Sequence, residues 1–231
     1  GGWLDFYVIG TLEGQEDRAG VGRARSIFQF HAAHQPWLDA PVSKADICLI
    51  KAGNAEYKGL FRLLAQGHFV FDAAELAPLA AGKAPKALED YALVILPDLQ
   101  NLGDAEARRL EQYAAGGGRL LATGATATRN AIGDPRGGFG LEALGVKPGY
   151  ETRTKRHADY LRIRPEDKAR LGADRLKPFD LCFLFSNFLE CEPAEATESL
   201  LRLIPAGMYG PPEKCYYGGE SGTAGLFFSR R

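Results

Sequence analysis

The stretch YALVILPDLQNLGDAEARRLEQYAAGGGRLLATGAT, residues 91–126, decides the fold. Ala92 to Leu96 is short and apolar at every position, as a strand buried on both faces requires. Gly103 stands at a helix-cap position with Glu106 three residues on, and Ala107, Leu110 and Ala114 recur at helical spacing. Gly116-Gly117-Gly118 then turns the chain into a second apolar run, Arg119 to Thr123. Strand, helix and strand over this length predict a parallel crossover, because antiparallel neighbours need only a tight turn.

Outward from this unit, Asp46 to Ile50 and His68 to Phe71 read as two more strands, all separated by roughly the 25 residues a crossover occupies. Between them Asn54 caps a helix whose apolar stripe is Tyr57, Leu60, Phe61 and Leu64, and Gly67 ends it. Pro78 and Pro85 leave the next crossover only a short helix near Lys86 to Asp90. From Gly149 onward the runs Tyr160 to Ile163, Leu181 to Phe185 and Leu226 to Ser229 are strand-like, and are expected to extend the sheet or form a small flanking one. At the other end, Trp3 to Thr11 reads as a buried strand. Val21, Ala24, Ile27, Phe28 and His31 then repeat at helical spacing, and Pro36 and Pro41 punctuate a linker. The expected organisation is a strand, helix and linker over 1–40 and an α/β domain over 41–231. The end at Arg230-Arg231, directly after an apolar run, reads as a truncation.

Length and composition fit this class: 231 residues, 45% hydrophobic and 25% charged, exclude a disordered or fibrous chain. Lysine plus arginine number 28 against 29 aspartate plus glutamate, so no global field recruits nucleic acid or an anionic membrane. The apolar runs are too short to span a bilayer, and the first residues lack the basic and apolar regions of a signal peptide, so a cytoplasmic location is expected. Cys48, Cys182, Cys191 and Cys215 form no CxxC pair; buried free thiols are expected, with a bridge among the last three left open.

In an open parallel sheet, ligands sit beyond the carboxyl ends of the strands where strand order reverses. Those ends bring Lys51, Asn54, Asp72, Asp98, Thr123 and Thr126 to one candidate crevice. Asp98 there is suited to act as a general base or to accept a sugar hydroxyl, and the threonines to donate to a ligand oxygen. The plainer reading is that Asp98 caps the following turn and the threonines satisfy loop backbone. The turn after the fourth strand, Ala122-Thr123-Gly124-Ala125-Thr126, occupies the place of a nucleophile elbow but offers neither cysteine nor serine. No catalytic residue is therefore assigned. His157 and Asp159 have the spacing of an amidotransferase histidine and acid, without a nucleophile to serve. His31 and His34 lack the companions of a metal site, and no metal or cofactor is expected. The glycine-rich Gly133 to Gly140 stretch lacks the ending of a phosphate loop and reads as a flexible loop. Arg153, Lys155, Arg156, Arg162 and Arg164 form a basic cluster, and Glu190, Glu192, Glu195 and Glu198 an acidic one. The two would be complementary across a symmetric interface.

Ala45 to Ile50, Tyr57 to Phe61, Gly67 to Asp72, Tyr91 to Asp98, Arg119 to Gly124 and Leu141 to Val146, in this order and spacing, resemble the β-galactosidase trimerisation domain. The best-matched core is 45–146. The resemblance implies a doubly wound, mainly parallel, flavodoxin-like sheet of the class I glutamine amidotransferase kind, with helices on both faces and its catalytic residues lost. It implies that residues 1–40 are the last strand and helix of a truncated (β/α)-barrel, and that carbohydrate chemistry belongs to that barrel. The function it implies is a non-catalytic accessory domain of a glycoside hydrolase, its partner further copies of itself in a homo-oligomer such as a trimer. The alternative is a sugar-binding or hydrolytic domain that uses the crevice.

Overall fold

A computed structural model of the chain describes residues 4–5, 7, 11–39, 42–153, 159–172, 178–184, 187–205 and 219–229. The chain divides into two units, Gly1–Lys44 and Ala45–Arg231.

In the first unit the helical reading is met by α1 (Ala19–Ala33), followed by the single turn α2 (Gln35–Leu38). None of the α1 side chains is buried: Ile27, Phe28 and Phe30 are 54%, 42% and 64% exposed. Much of the expected Trp3 to Thr11 strand lies outside the described residues. The described Leu4, Asp5, Tyr7 and Thr11 form no strand, and Leu4 and Tyr7 are exposed. A lone strand with no pairing neighbour leaves its backbone groups unsatisfied, so apolar composition alone does not produce one.

The second unit is built on a four-stranded sheet of β1 (Ile47–Ile50), β2 (Phe71–Ala74), β3 (Leu93–Leu96) and β4 (Arg119–Ala122), in the order β2-β1-β3-β4 and parallel throughout. The connecting helices are α3 (Ala55–Gln66), α4 (Leu76–Ala80) and α5 (Asp104–Ala115). Alternate residues of each strand face opposite layers. Cys48, Ile50, Val94 and Leu96 pack with Leu76 and Leu79 of α4 and Ala107, Leu110 and Tyr113 of α5. Leu49 and Ile95 pack with Leu64, Tyr57 and Leu60 of α3. Both faces of the inner strands are thus buried, which is why their sequences are apolar at every position.

Two elements of the parallel sheet depart from the expected bounds. β2 starts at Phe71, three residues later than read, because the end of α3 runs on: the amides of His68 and Phe69 return to the carbonyls of Ala65 and Leu64, with His68 at φ +56°. In the second crossover the helix is α4, upstream of Lys86. Pro78 is tolerated within its first turn, and Leu88–Asp90 forms a 3-10 turn.

The remainder forms a separate antiparallel sheet of β6 (Asp159–Arg162), β7 (Leu181–Leu184), β9 (Thr197–Ile204) and β10 (Ala224–Ser229), in the order β10-β9-β6-β7. A two-stranded ribbon pairs β5 (Glu151–Arg153) with β8 (Phe188–Glu190), and α6 (Pro165–Leu171) follows β6. The flanking-sheet expectation is met, and β9, the longest of the described strands, lies outside the strand-like runs of the sequence. Its alternation is interrupted at Leu201, which sits at φ +59° with its amide turned to the buried carboxylate of Asp167.

Candidate functional site

Strand order reverses between β1 and β3, and the crevice there is crossed by hydrogen bonds. Asn54 caps α3 by accepting from the Tyr57 amide at 2.9 Å, while its Nδ2 donates to the carbonyls of Pro97 (2.9 Å) and Asp98 (3.2 Å). One side chain therefore fixes the loop after β1 and ties it to the loop after β3. The Asp98 amide donates to Thr123 Oγ1 at 3.1 Å, and Asp98 Oδ1 accepts from the Ala125 amide at 2.7 Å. Thr126, 1% exposed, accepts from the Leu99 amide at 3.0 Å and has the carbonyls of Thr123 and Leu96 at 2.8 and 3.1 Å, donating to one of them. Asn54, Asp98, Thr123 and Thr126 are thus brought together, each engaged by the chain's own backbone.

The other two candidates lie apart from this knot. Lys51 is exposed and 3.8 Å from Glu75. Asp72 is the second residue of β2, opposite Cys48, and does not project beyond the strand end. Its Oδ2 accepts the Tyr91 hydroxyl at 2.9 Å. Burial, then the hydrogen bond it donates to Asp72, pushes the Tyr91 hydroxyl above its ordinary range. Burial, then the charge of Asp72, pushes the Cys48 thiol up to about 12. Tyr91 and Cys48 therefore keep their protons and offer no reactive nucleophile.

Among the remaining sequence candidates, His157 lies outside the described residues, and Asp159 begins β6, fully buried in the antiparallel sheet. His34 caps the end of α1, its Nδ1 2.7 Å from the Phe30 carbonyl. Among the described residues no group of three His, Cys, Asp or Glu side chains is placed to hold a metal, and no helix is long and apolar enough to cross a membrane. The glycine-rich loop is pinned: Asn130 accepts from the amides of Ile132 and Asp134, and Arg136 reaches the Leu102 carbonyl (2.7 Å) and Asp104 (2.6 Å) at the start of α5. Of the two charge clusters, Arg153 pairs with Glu190 and Glu198 with Arg170, both within the chain, while Lys155 and Arg156 lie outside the described residues. Cys182 is exposed, against the expectation of burial, on β7, where neither face of the strand is fully covered; Cys191 is half-buried and Cys215 lies outside the described residues.

A feature the sequence reading missed is a cleft of about 520 Å³ at the opposite, amino end of the sheet, lined among others by Asp46, Asp90, Gln112 and Gly116 to Gly118. The only signal for it was the triple glycine. Its tyrosines, Tyr91 and Tyr113, are almost fully buried, and their hydroxyls bond Asp72 and the Tyr91 carbonyl. Glu89 there is already paired with Arg109. The crevice at the carboxyl ends remains the better-built arrangement.

No protein-family model matches the chain, and no curated protein matches it by sequence. Solved structures do match. Gan42B, a GH42 β-galactosidase, superposes with TM-score 0.61 at 13% identity over 94% of this chain and 32% of its own. A β-galactosidase from Bacillus circulans sp. alkalophilus gives 0.61 at 16% identity over 83% of this chain and 29% of its own. The α-L-fucosidase isoenzyme 2 of Paenibacillus thiaminolyticus gives 0.55 at 18% identity, covering 92% and 31%. The chain shares the fold of the matched part of each. It spans about a third of the length of each.

Proposed function

We propose that this chain is a non-catalytic accessory module of a carbohydrate-active enzyme, and that it works by associating with further copies of itself. Its parallel sheet, in the order β2-β1-β3-β4, fits the flavodoxin-like, amidotransferase-like fold. The observation that carries the reading is the state of the crevice: the β4 turn holds no cysteine or serine, and the Ala125 amide beside it is taken by Asp98. A site whose donors are consumed internally has little left for a transition state. The likeness to two β-galactosidases and a fucosidase, each about three times as long, supports placing the chemistry in another part of such a protein.

Light scattering of the chain across a concentration series tests this. A dimer or trimer mass is expected. A monomer at the highest concentration sinks the assembly reading.

A further inference from the structure

The turn after β4 is arranged around a single carboxylate. Asp98 Oδ1 takes the Ala125 amide at 2.7 Å and Oδ2 takes Gln100 Nε2 at 3.1 Å, so both oxygens are engaged. The residue is held from behind as well, its amide on Thr123 Oγ1 and its carbonyl on Asn54 Nδ2. Two left-handed backbones maintain the arrangement, Asp98 at φ +43° and Gly124 at φ +56°. A Cβ on Gly124 would lie 2.4 Å from Asp98 Oδ1, so the turn reserves the space for the carboxylate oxygen by lacking a side chain there. Local strain of this kind persists only where surrounding contacts over-determine it.

We infer that the β4 turn is a receptor for a small carboxylate, and that Asp98 is its built-in occupant. The tethered carboxylate competes at the high effective concentration of an intramolecular group, so the crevice is closed to free ligands. Any acid that entered would have to expel the Asp98 side chain. The inference concerns the chemistry of the crevice and holds whether or not the chain assembles.

Removing the tethered group should open the receptor. In Asp98→Gly the glycine keeps the left-handed backbone without strain and deletes the carboxylate. Its Tm is expected to fall by roughly 5 °C. Rising sodium formate, against sodium chloride of matched ionic strength, is expected to recover at least half of that loss with saturation and to move the Ala125 amide resonance. Wild type and Asp98→Asn, whose amide oxygen still accepts from Ala125, should show no formate-specific response. An Asp98→Gly protein indifferent to formate, or a wild type that responds equally, overturns the proposal. If Asp98→Gly does not fold, hydrogen exchange of the wild-type Ala125 amide decides: protection supports an occupied receptor, and exchange at an exposed-loop rate refutes it.

Discussion

Helices α1 and α5 carry the same kind of sequence signal, yet they end in opposite environments. In α5, Ala107, Leu110 and Tyr113 fall on one face and are buried under β1 and β3, and the Tyr113 hydroxyl reaches the Tyr91 carbonyl at 2.9 Å. In α1, Ile27, Phe28 and Phe30 are apolar and exposed, with Arg23 and Arg25 between them and the start of the helix. Helical periodicity says that a face is apolar and says nothing of what it packs against. Most helical stability comes from that packing, so the two helices should respond to truncation in opposite ways.

The largest effect is therefore expected at Leu110, which is 0% exposed. Leu110→Ala should cost about 3–4 kcal/mol through lost burial and the cavity left behind, read as a fall in the urea midpoint at constant slope. Phe28→Ser in α1 should change the same midpoint by less than about 0.5 kcal/mol. A Phe28→Ser loss comparable with that of Leu110→Ala would break the comparison, by showing that the α1 face is covered in solution.

This contrast also marks how far the sequence could be read. The strands of the parallel sheet were legible because burial on both faces makes Leu93 to Leu96 and Ile47 to Ile50 apolar throughout. The register of β2 was not, since it depends on His68 taking a left-handed backbone at the end of α3, and histidine does not announce that conformation. β9 escaped because Arg202 and Ser199 interrupt its apolar pattern in a sheet whose faces are only partly covered. At the crevice the residue types were legible, and so was the plainer reading in which Asp98 and the threonines serve loop backbone. That Asp98 reaches across to the Ala125 amide, 27 positions away, is a tertiary fact with no local signature.

The two ends of the burial scale also meet in the cysteines. Cys48 is fully buried beneath α5 and its thiol is pushed up to about 12, chiefly by burial and then by Asp72; Cys182 is exposed on β7. At pH 8 a thiol of that acidity is ionised to roughly one part in ten thousand, and only the thiolate attacks. Alkylation followed by peptide mass mapping should find Cys182 labelled at least ~1000-fold faster than Cys48. The folded thiol holds its proton more tightly than an unfolded one, so its contribution to stability is intact below about pH 8.5 and is lost as pH rises toward 12. Tyr91, raised by burial and then by its bond to Asp72, acts in the same direction. The alkaline fall in the urea midpoint should accordingly be shallower in Cys48→Ala than in wild type. Rapid labelling of Cys48 would show that the parallel sheet opens readily, and the covered region would lose its distinction.

The smallest effect belongs to the outer side of α5, where burial contributes little. Arg109 pairs with Glu89 across a partly exposed surface, and its hydrogen bond holds the Glu89 carboxyl below the usual range. A lowered carboxyl stabilises the fold above its unfolded value, about pH 4.3, and that contribution disappears as pH falls through the folded value. Exposure and screening keep it small. Glu89→Gln should move the urea midpoint at pH 7 by less than about 0.5 kcal/mol, shrinking further in high salt and as pH falls below the unfolded value. If the cost instead exceeded about 1 kcal/mol at pH 7 and survived high salt, the pair would be anchoring α5. The difference between α5 and α1 would then rest partly on charge, and an apolar face would no longer suffice to explain why one helix is seated and the other is bare.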